Sequence, residues 1–277
     1  MIISCLLPIK YKNLLEDRSG VSPVIGMILI LSIVVISVGI IYTTGIPFID
    51  SIKYNTQVFN AQNSFSVLQN DVLEIINGPV TGVGMGRITK VEMGGGSIFV
   101  EPNNTEIQIN YTGSSNPVTA VPGTITYNYR SRSVIFENGG VFTKYTTSSF
   151  MEIDPMIFVT DLGSGNIGLM IHIINVTGPN SSIGGEGTGK IRTSFEERTN
   201  LYSGEVNSVN IKISTQNSDS WGRYFNDTLS NAGLDHSSGD FRVNQSSSNV
   251  EIGIDVSSGG NYIQLSIYET KILTRVE

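Results

Sequence analysis

Between Arg18 and Asp50 the chain carries no charged side chain, and most of the intervening residues are Ile, Val, Leu or Met. A helix rises about 1.5 Å per residue, so about 20 apolar residues suffice to cross a bilayer. This stretch is long enough. Ser22 suits an N-cap and Pro23 suits the first helical position, where the missing N–H leaves nothing unpaired. A helix is therefore expected to begin just after a short basic segment and to run to the neighbourhood of Pro47.

That feature divides the composition. A chain of 277 residues can hold one anchor and one substantial domain, or two small ones. Here the apolar residues crowd one end, while the remainder is rich in Gly, Ser, Thr and Asn, as expected of a membrane-tethered polar domain. The formal net charge is −7, and the segment before Val21 is slightly basic, so the chain from Val21 onward is more acidic still. An acidic chain without a compact Lys/Arg cluster argues against nucleic acid, or an anionic membrane surface, as partner. The single cysteine, Cys5, lies in a segment expected to be removed, which leaves no disulfide and no structural thiolate site.

Residues 1–20 do not read as an ordinary secretory signal, because the charged stretch from Lys10 to Arg18 precedes the apolar run and no small-x-small cleavage site follows it. The order basic Arg18, small Ser19 and Gly20, then Val21-Ser22-Pro23-Val24-Ile25-Gly26 and a long apolar run, resembles the class III signal of archaeal type IV pilin-like proteins. The resemblance implies cleavage between Gly20 and Val21 by a prepilin-type aspartic peptidase, with Arg18, Ser22 and Pro23 in the recognition sequence. It also implies other pilin-like subunits and an assembly platform with its ATPase as partners. The localisation it implies is a single-pass cell-membrane protein, with the N-terminus cytoplasmic, the C-terminal domain extracellular and a surface filament as the assembled form.

Two departures stand against the pattern: Ser19 occupies a place where archaeal members often carry a second basic residue, and Ile25 one where bacterial pilins carry a helix glutamate. Lys10, Lys12 and Arg18 would equally hold the N-terminus of a plain signal anchor in the cytoplasm. The alternative is thus an unassembled, membrane-anchored envelope or binding protein of the same topology. Gly26, Ser32, Ser37 and Gly39 are small enough to let a neighbouring helix approach closely, or are simply tolerated in a spanning helix.

Pro47 is expected to kink the helix or end it near Ile46, since it removes a backbone donor. Beyond it Val58, Ala61, Phe65, Leu68, Val72 and Ile75 alternate spacings of three and four, which sets them on one face of a second, amphipathic helix. Asn60, Gln62, Asn63, Gln69, Asn70, Asp71 and Glu74 make the polar remainder, and Asn77-Gly78-Pro79 supplies a left-handed cap and a stop. The apolar stripe needs a cover, for which a sheet is the natural candidate; sustained heptads for a coiled coil are lacking.

From Gly78 onward short apolar runs alternate with Gly, Asn and Ser clusters. Strands are expected at 87–92, 97–100, 106–111, 123–129, 133–136, 156–160, 167–176, 206–214, 250–256 and 262–270. Turns are expected at Gly94-Gly95-Gly96, Asn138-Gly139-Gly140 and Ser258-Gly259-Gly260. The fold class is α+β: a long N-terminal transmembrane helix continuing into an amphipathic one, packed on a mainly antiparallel, β-rich exterior domain. The expected organisation is a leader over 1–20, the helix over 21–77 and the β-rich domain over 78–277. The Gly/Ser-rich stretch 177–189 is either a long loop or a boundary between two β subdomains.

One interruption is helical: Ser220 as cap, then Trp221, Tyr224, Phe225 and Leu229 at helical spacing, an aromatic face expected to pack on the sheet. Candidate N-glycosylation triplets start at Asn103, Asn110, Asn175, Asn180, Asn226 and Asn244, all after the anchor.

Catalytic chemistry finds little to stand on. Gly184-Gly-Glu-Gly-Thr-Gly189-Lys190 imitates a phosphate-binding loop, but Ile191 replaces the Ser/Thr that would hold magnesium. His172 lies in an apolar strand-like run, and Asp235-His236 with Asp240 reads as a turn as readily as a cation site. Glu196 and Glu197 are adjacent rather than converging. The expectation is a non-enzymatic protein with no cofactor and no metal.

Overall fold

The computed structural model describes residues 22–78, 85–257 and 260–277. Two units divide it, one ending at Tyr54 and the other running from Asn55 to Glu277.

In the first unit, helix α1 (Pro23–Ile40) starts as its sequence dictates, with Pro23 in the first turn behind Ser22 in an extended conformation. Gly26 N–H donates to the Ser22 carbonyl at 3.0 Å. No residue of α1 is buried. A π-helical turn (Ile41–Gly45) follows, and α2 (Ile46–Asn77) begins after it. Of the two outcomes expected at Pro47, a kink or an end near Ile46, the end does not occur, since α2 runs through the proline. The wider turn shifts the hydrogen-bond register just ahead of the proline, where an α register would press the ring against a preceding carbonyl. Thr43 and Thr44 hydroxyls donate to the carbonyls of Gly39 and Ile40 at 3.0 and 2.7 Å, so side chains serve the carbonyls at this irregular turn.

In the second unit α2 buries Val58, Ala61, Phe65, Leu68, Val72 and Ile75, the face its periodicity marks, together with Ile76. Gln69 corrects the expectation of a polar outer position: it is buried, and its Nε2 donates to the carbonyls of Gly139 and Asp154 at 2.9 and 3.2 Å. The helix stops at Asn77 as expected, but Gly78 does not have the left-handed φ of a glycine cap. Pro79 lies outside the described residues.

Among the described residues sixteen strands follow: β1 (Gly86–Glu92), β2 (Ser97–Glu101), β3 (Glu106–Tyr111), β4 (Val118–Ala120), β5 (Thr124–Tyr129), β6 (Arg132–Glu137), β7 (Gly140–Lys144) and β8 (Ser149–Ile153). Then come β9 (Ile157–Gly163), β10 (Asn166–Thr177), β11 (Ser181–Gly184), β12 (Thr188–Val206), β13 (Ser208–Ser214), helix α3 (Ser218–Asn231), β14 (Phe241–Gln245), β15 (Asn249–Asp255) and β16 (Ile263–Val276). Three sheets result, with strand orders β1-β12-β16-β10-β9, β11-β2-β5-β6-β7-β8 and β14-β15-β13-β3-β4. Among the described residues these strands pair antiparallel throughout, except β10 with β16. The fold is α+β with a mainly antiparallel β-rich part. Residues 181–184 form a strand on β2, so the stretch 177–189 is not wholly loop.

The core comes in two parts because the six-stranded sheet is covered on both faces. On one face Tyr127 and Thr143 meet α2: Gln57 Nε2 donates to Tyr127 Oη at 3.0 Å and Gln62 Nε2 to Thr143 Oγ1 at 2.8 Å. On the other, Ile135 and Phe142 join a large cluster with Trp221 and Phe225 of α3 and the inner residues of β3, β13 and β15. The long strand β16 serves both parts. Ile263, Leu265 and Ile267 enter the second cluster, while Thr270, Ile272 and Thr274 are buried on the opposite face, the one on which Thr89 of β1 donates to Asp71 of α2. Gly123 lets two of the sheets touch, since a Cβ there would meet the Val176 carbonyl oxygen at 2.5 Å.

Deleting a buried phenyl leaves a cavity the surrounding sheets cannot close. Phe65→Ala is expected to destabilise the β-rich unit by about 3–5 kcal/mol, and Phe59→Ala, on the exposed side of α2, by less than about 0.5 kcal/mol. Urea unfolding of the two variants checks the difference.

Candidate functional site

The first candidate surface is α1 itself. Its side chains are exposed throughout, and it opens the one described helical stretch, Pro23–Asn77, that is long and apolar enough to cross a membrane. The polar atoms it carries are satisfied within it. Ser32 Oγ donates to the Ile28 carbonyl at 2.8 Å and Ser37 Oγ to the Ile33 carbonyl at 2.7 Å, so neither hydroxyl needs water or a neighbour. At Gly26 and Gly39 a Cβ would meet nothing within 4 Å. With about 3.6 residues per turn, Gly26 and Ser37 fall on one side of the helix and Ser32 and Gly39 on a nearly opposite side. Of the residues tied to processing, Ser22 and Pro23 open the helix; Arg18, Gly20 and Val21 lie outside the described residues.

The glycosylation triplets do not share one environment. Asn103, Asn110, Asn180, Asn226 and Asn244 are exposed, with Asn110 and Asn244 on strands of the same five-stranded sheet. Asn175 is buried, and its Nδ2 donates to Glu269 Oε1 at 2.7 Å, so this amide serves the fold and is not presented to a transferase.

The phosphate-loop mimic is the connection from β11 into β12, with no helix after it. Asp235 accepts from the Ser237 backbone N–H and hydroxyl at 2.9 and 2.7 Å, a turn, and among the described residues no group of three or more His, Cys, Asp or Glu is placed to hold a metal. Glu196 meets Thr177 and Glu197 meets Lys271, on separate partners.

Helix α3 begins at Ser218 behind Asn217, two residues ahead of the serine cap expected at Ser220. The earlier start matters, because Asn217 belongs to a buried polar cluster that no motif in the chain announces. Glu137, at the end of β6, is 2% exposed. Its Oε2 accepts from Thr215 Oγ1 at 2.9 Å and Asn217 Nδ2 at 2.7 Å, and its Oε1 from Trp221 Nε1 at 2.9 Å. Burial pushes the Glu137 carboxyl above the usual carboxylate range, and the three donors oppose that shift. Trp221 is thus a core residue whose polar edge is used, as its helical spacing suggested. The Asn217 Oδ1 atom is buried and receives no hydrogen bond.

His172 stands on β10 with its Nε2 2.8 Å from Thr270 Oγ1. Burial, with the Arg198 guanidinium nearby, lowers its pKa to about 4. A histidine uncharged in the folded chain and free to charge in the unfolded one favours unfolding in acid. Its contribution is intact above pH 6.5 and is lost as pH falls from there toward 4. Glu137 shifts the other way, and the carboxylates held low, such as Asp219 through its Ser149 hydrogen bonds, act only below their ordinary range. His172→Gln should therefore flatten the fall in stability between pH 6.5 and 4, measured as the urea midpoint against pH.

Fold and surface together define a class: a chain with an apolar helix of membrane-crossing length at its N-terminal end, followed by a mainly antiparallel β-rich unit. The chain belongs to a family of unknown function, DUF7289, whose model matches residues 19–264 and so takes in both the helix and most of the β-rich unit. No curated protein and no solved structure matches it.

Proposed function

We propose that this chain is a type IV pilin-like surface protein, cut between Gly20 and Val21 by a prepilin-type aspartic peptidase and held in the membrane through residues 21–46. The observation that carries the proposal is the helix opening at Ser22-Pro23, apolar but for Ser32 and Ser37 and with none of its side chains buried. Exposed Ile, Val and Leu on every side of a helix have no favourable place in water. Lipid, or other helices of the same kind, would cover them.

Assembly exchanges helix–lipid contacts for helix–helix contacts, and the close-approach residues fall on two sides, Gly26 with Ser37 and Ser32 with Gly39, as a helix flanked by copies requires. In this reading the β-rich unit faces the cell exterior, and other pilin-like subunits, an assembly platform and its ATPase are the partners. The second reading, an unassembled membrane-anchored envelope or binding protein, is favoured by the absence of a carboxylate at Ile25 to register one subunit on the next.

Intact mass and N-terminal sequencing of the protein recovered from its own cells test the proposal. Val21 at the mature N-terminus is the expected result; an intact Met1, or a start beyond Ile41, contradicts it. Shearing the cells then separates the two readings, since filament subunits are released and a lone anchored protein stays with the membrane.

A further inference from the structure

Above Glu137 the structure holds a cleft of about 300 Å³, set between β5 and β6 on one side and the corner from β13 into α3 on the other. Its volume lies at the lower end of the range for small-molecule sites. Its lining is unlike an apolar pocket, because Ile135 is the single aliphatic side chain and no aromatic ring contributes. Hydroxyls and amides supply almost everything else, Thr124, Thr126 and Asn128 from β5 among them.

Charge narrows the ligand class. Glu101 and Glu137 both line the cleft, which opposes an anion. Lys144 also lines it, with Nζ donating to Gln216 Oε1 at 2.7 Å, and the two Glu137 oxygens already accept three hydrogen bonds, which opposes a bare cation. The chemistry that fits is a neutral molecule able both to donate and to accept at many points. Asn217 also lines the cleft, and its Oδ1 is a buried acceptor that receives no hydrogen bond.

We infer that this cleft is a binding site for a small neutral polyhydroxylated ligand of the saccharide class, held by hydrogen bonds from β5, β6 and the β13–α3 corner. The site is independent of whether the chain is cleaved or assembled.

Trp221 is the protein's single tryptophan, and its Nε1 is bonded to the carboxylate beneath the cleft, so its emission reports on occupancy. The full chain, in a detergent without a sugar headgroup, would be titrated with glucose, galactose, mannose, N-acetylglucosamine and, as a separate arm, calcium chloride. Thr126→Leu fills the cleft while leaving every bond to Glu137 in place, and urea unfolding confirms that the variant is folded. The expected result is a saturable change in Trp221 emission with at least one sugar, weakened about tenfold or more in Thr126→Leu. No saturable change with any of the four sugars, equal affinity in the variant, or a response to calcium chloride alone overturns the inference.

Discussion

The turn from β6 into β7 is where the β-rich unit is tied together. Its backbone needs left-handed conformations at Asn138 and Gly139, with φ of 48° and 82°, and each residue around it bonds to a different element. Glu137 reaches Thr215, Asn217 and Trp221; Asn138 Oδ1 accepts from the Ile174 N–H at 2.9 Å; the Gly139 carbonyl accepts from Gln69 on α2. A buried carboxylate is tolerable only because three donors replace its water, and those donors come from residues that must be ordered for the turn to form. The turn, α2, β10 and α3 therefore stabilise one another.

This arrangement also explains why residues 55–77 belong with the strands. Their apolar face is the cover for the six-stranded sheet and for one end of β16, while the aromatic cluster around Trp221 covers the opposite faces. Residues 23–40 bury no side chain, and their chemistry asks for lipid or for like helices. One helical stretch thus carries two unlike surfaces, and the widened turn at Ile41–Gly45 lies between them, where Pro47 would otherwise break the ladder.

Much of this is legible from the residues, and the gaps have physical causes. The stripe from Val58 to Ile75 and the alternation in Glu106–Tyr111 are visible because their polar and apolar sides differ sharply. Strand β12 escapes sequence reading, although it is the longest. Its buried Thr193 looks like a surface residue, and irregularities at Phe195/Glu197 and Asn200/Tyr202 break the period of two on which strand recognition depends. Pro47 does not end the helix, because the rule against internal proline assumes an α register ahead of it and a π turn stands there instead. Glu137 carries no signal, since a glutamate beside an Asn-Gly turn reads as solvated and its three donors lie 78 to 84 residues further along the chain.

The chain divides within its helix and not after it, with the stretch from Asn55 to Asn77 built into the β-rich core, and the other structural conclusions rest on that division. It can be tested by comparing a protein starting at Asn55 with one starting at Gly86, both in urea titrations without detergent. If the division is right, the longer protein is soluble and unfolds cooperatively, while the shorter one, its sheets uncovered, aggregates or shows no cooperative transition. Equal cooperative folding of the two, or loss of the longer protein to membranes, would contradict it.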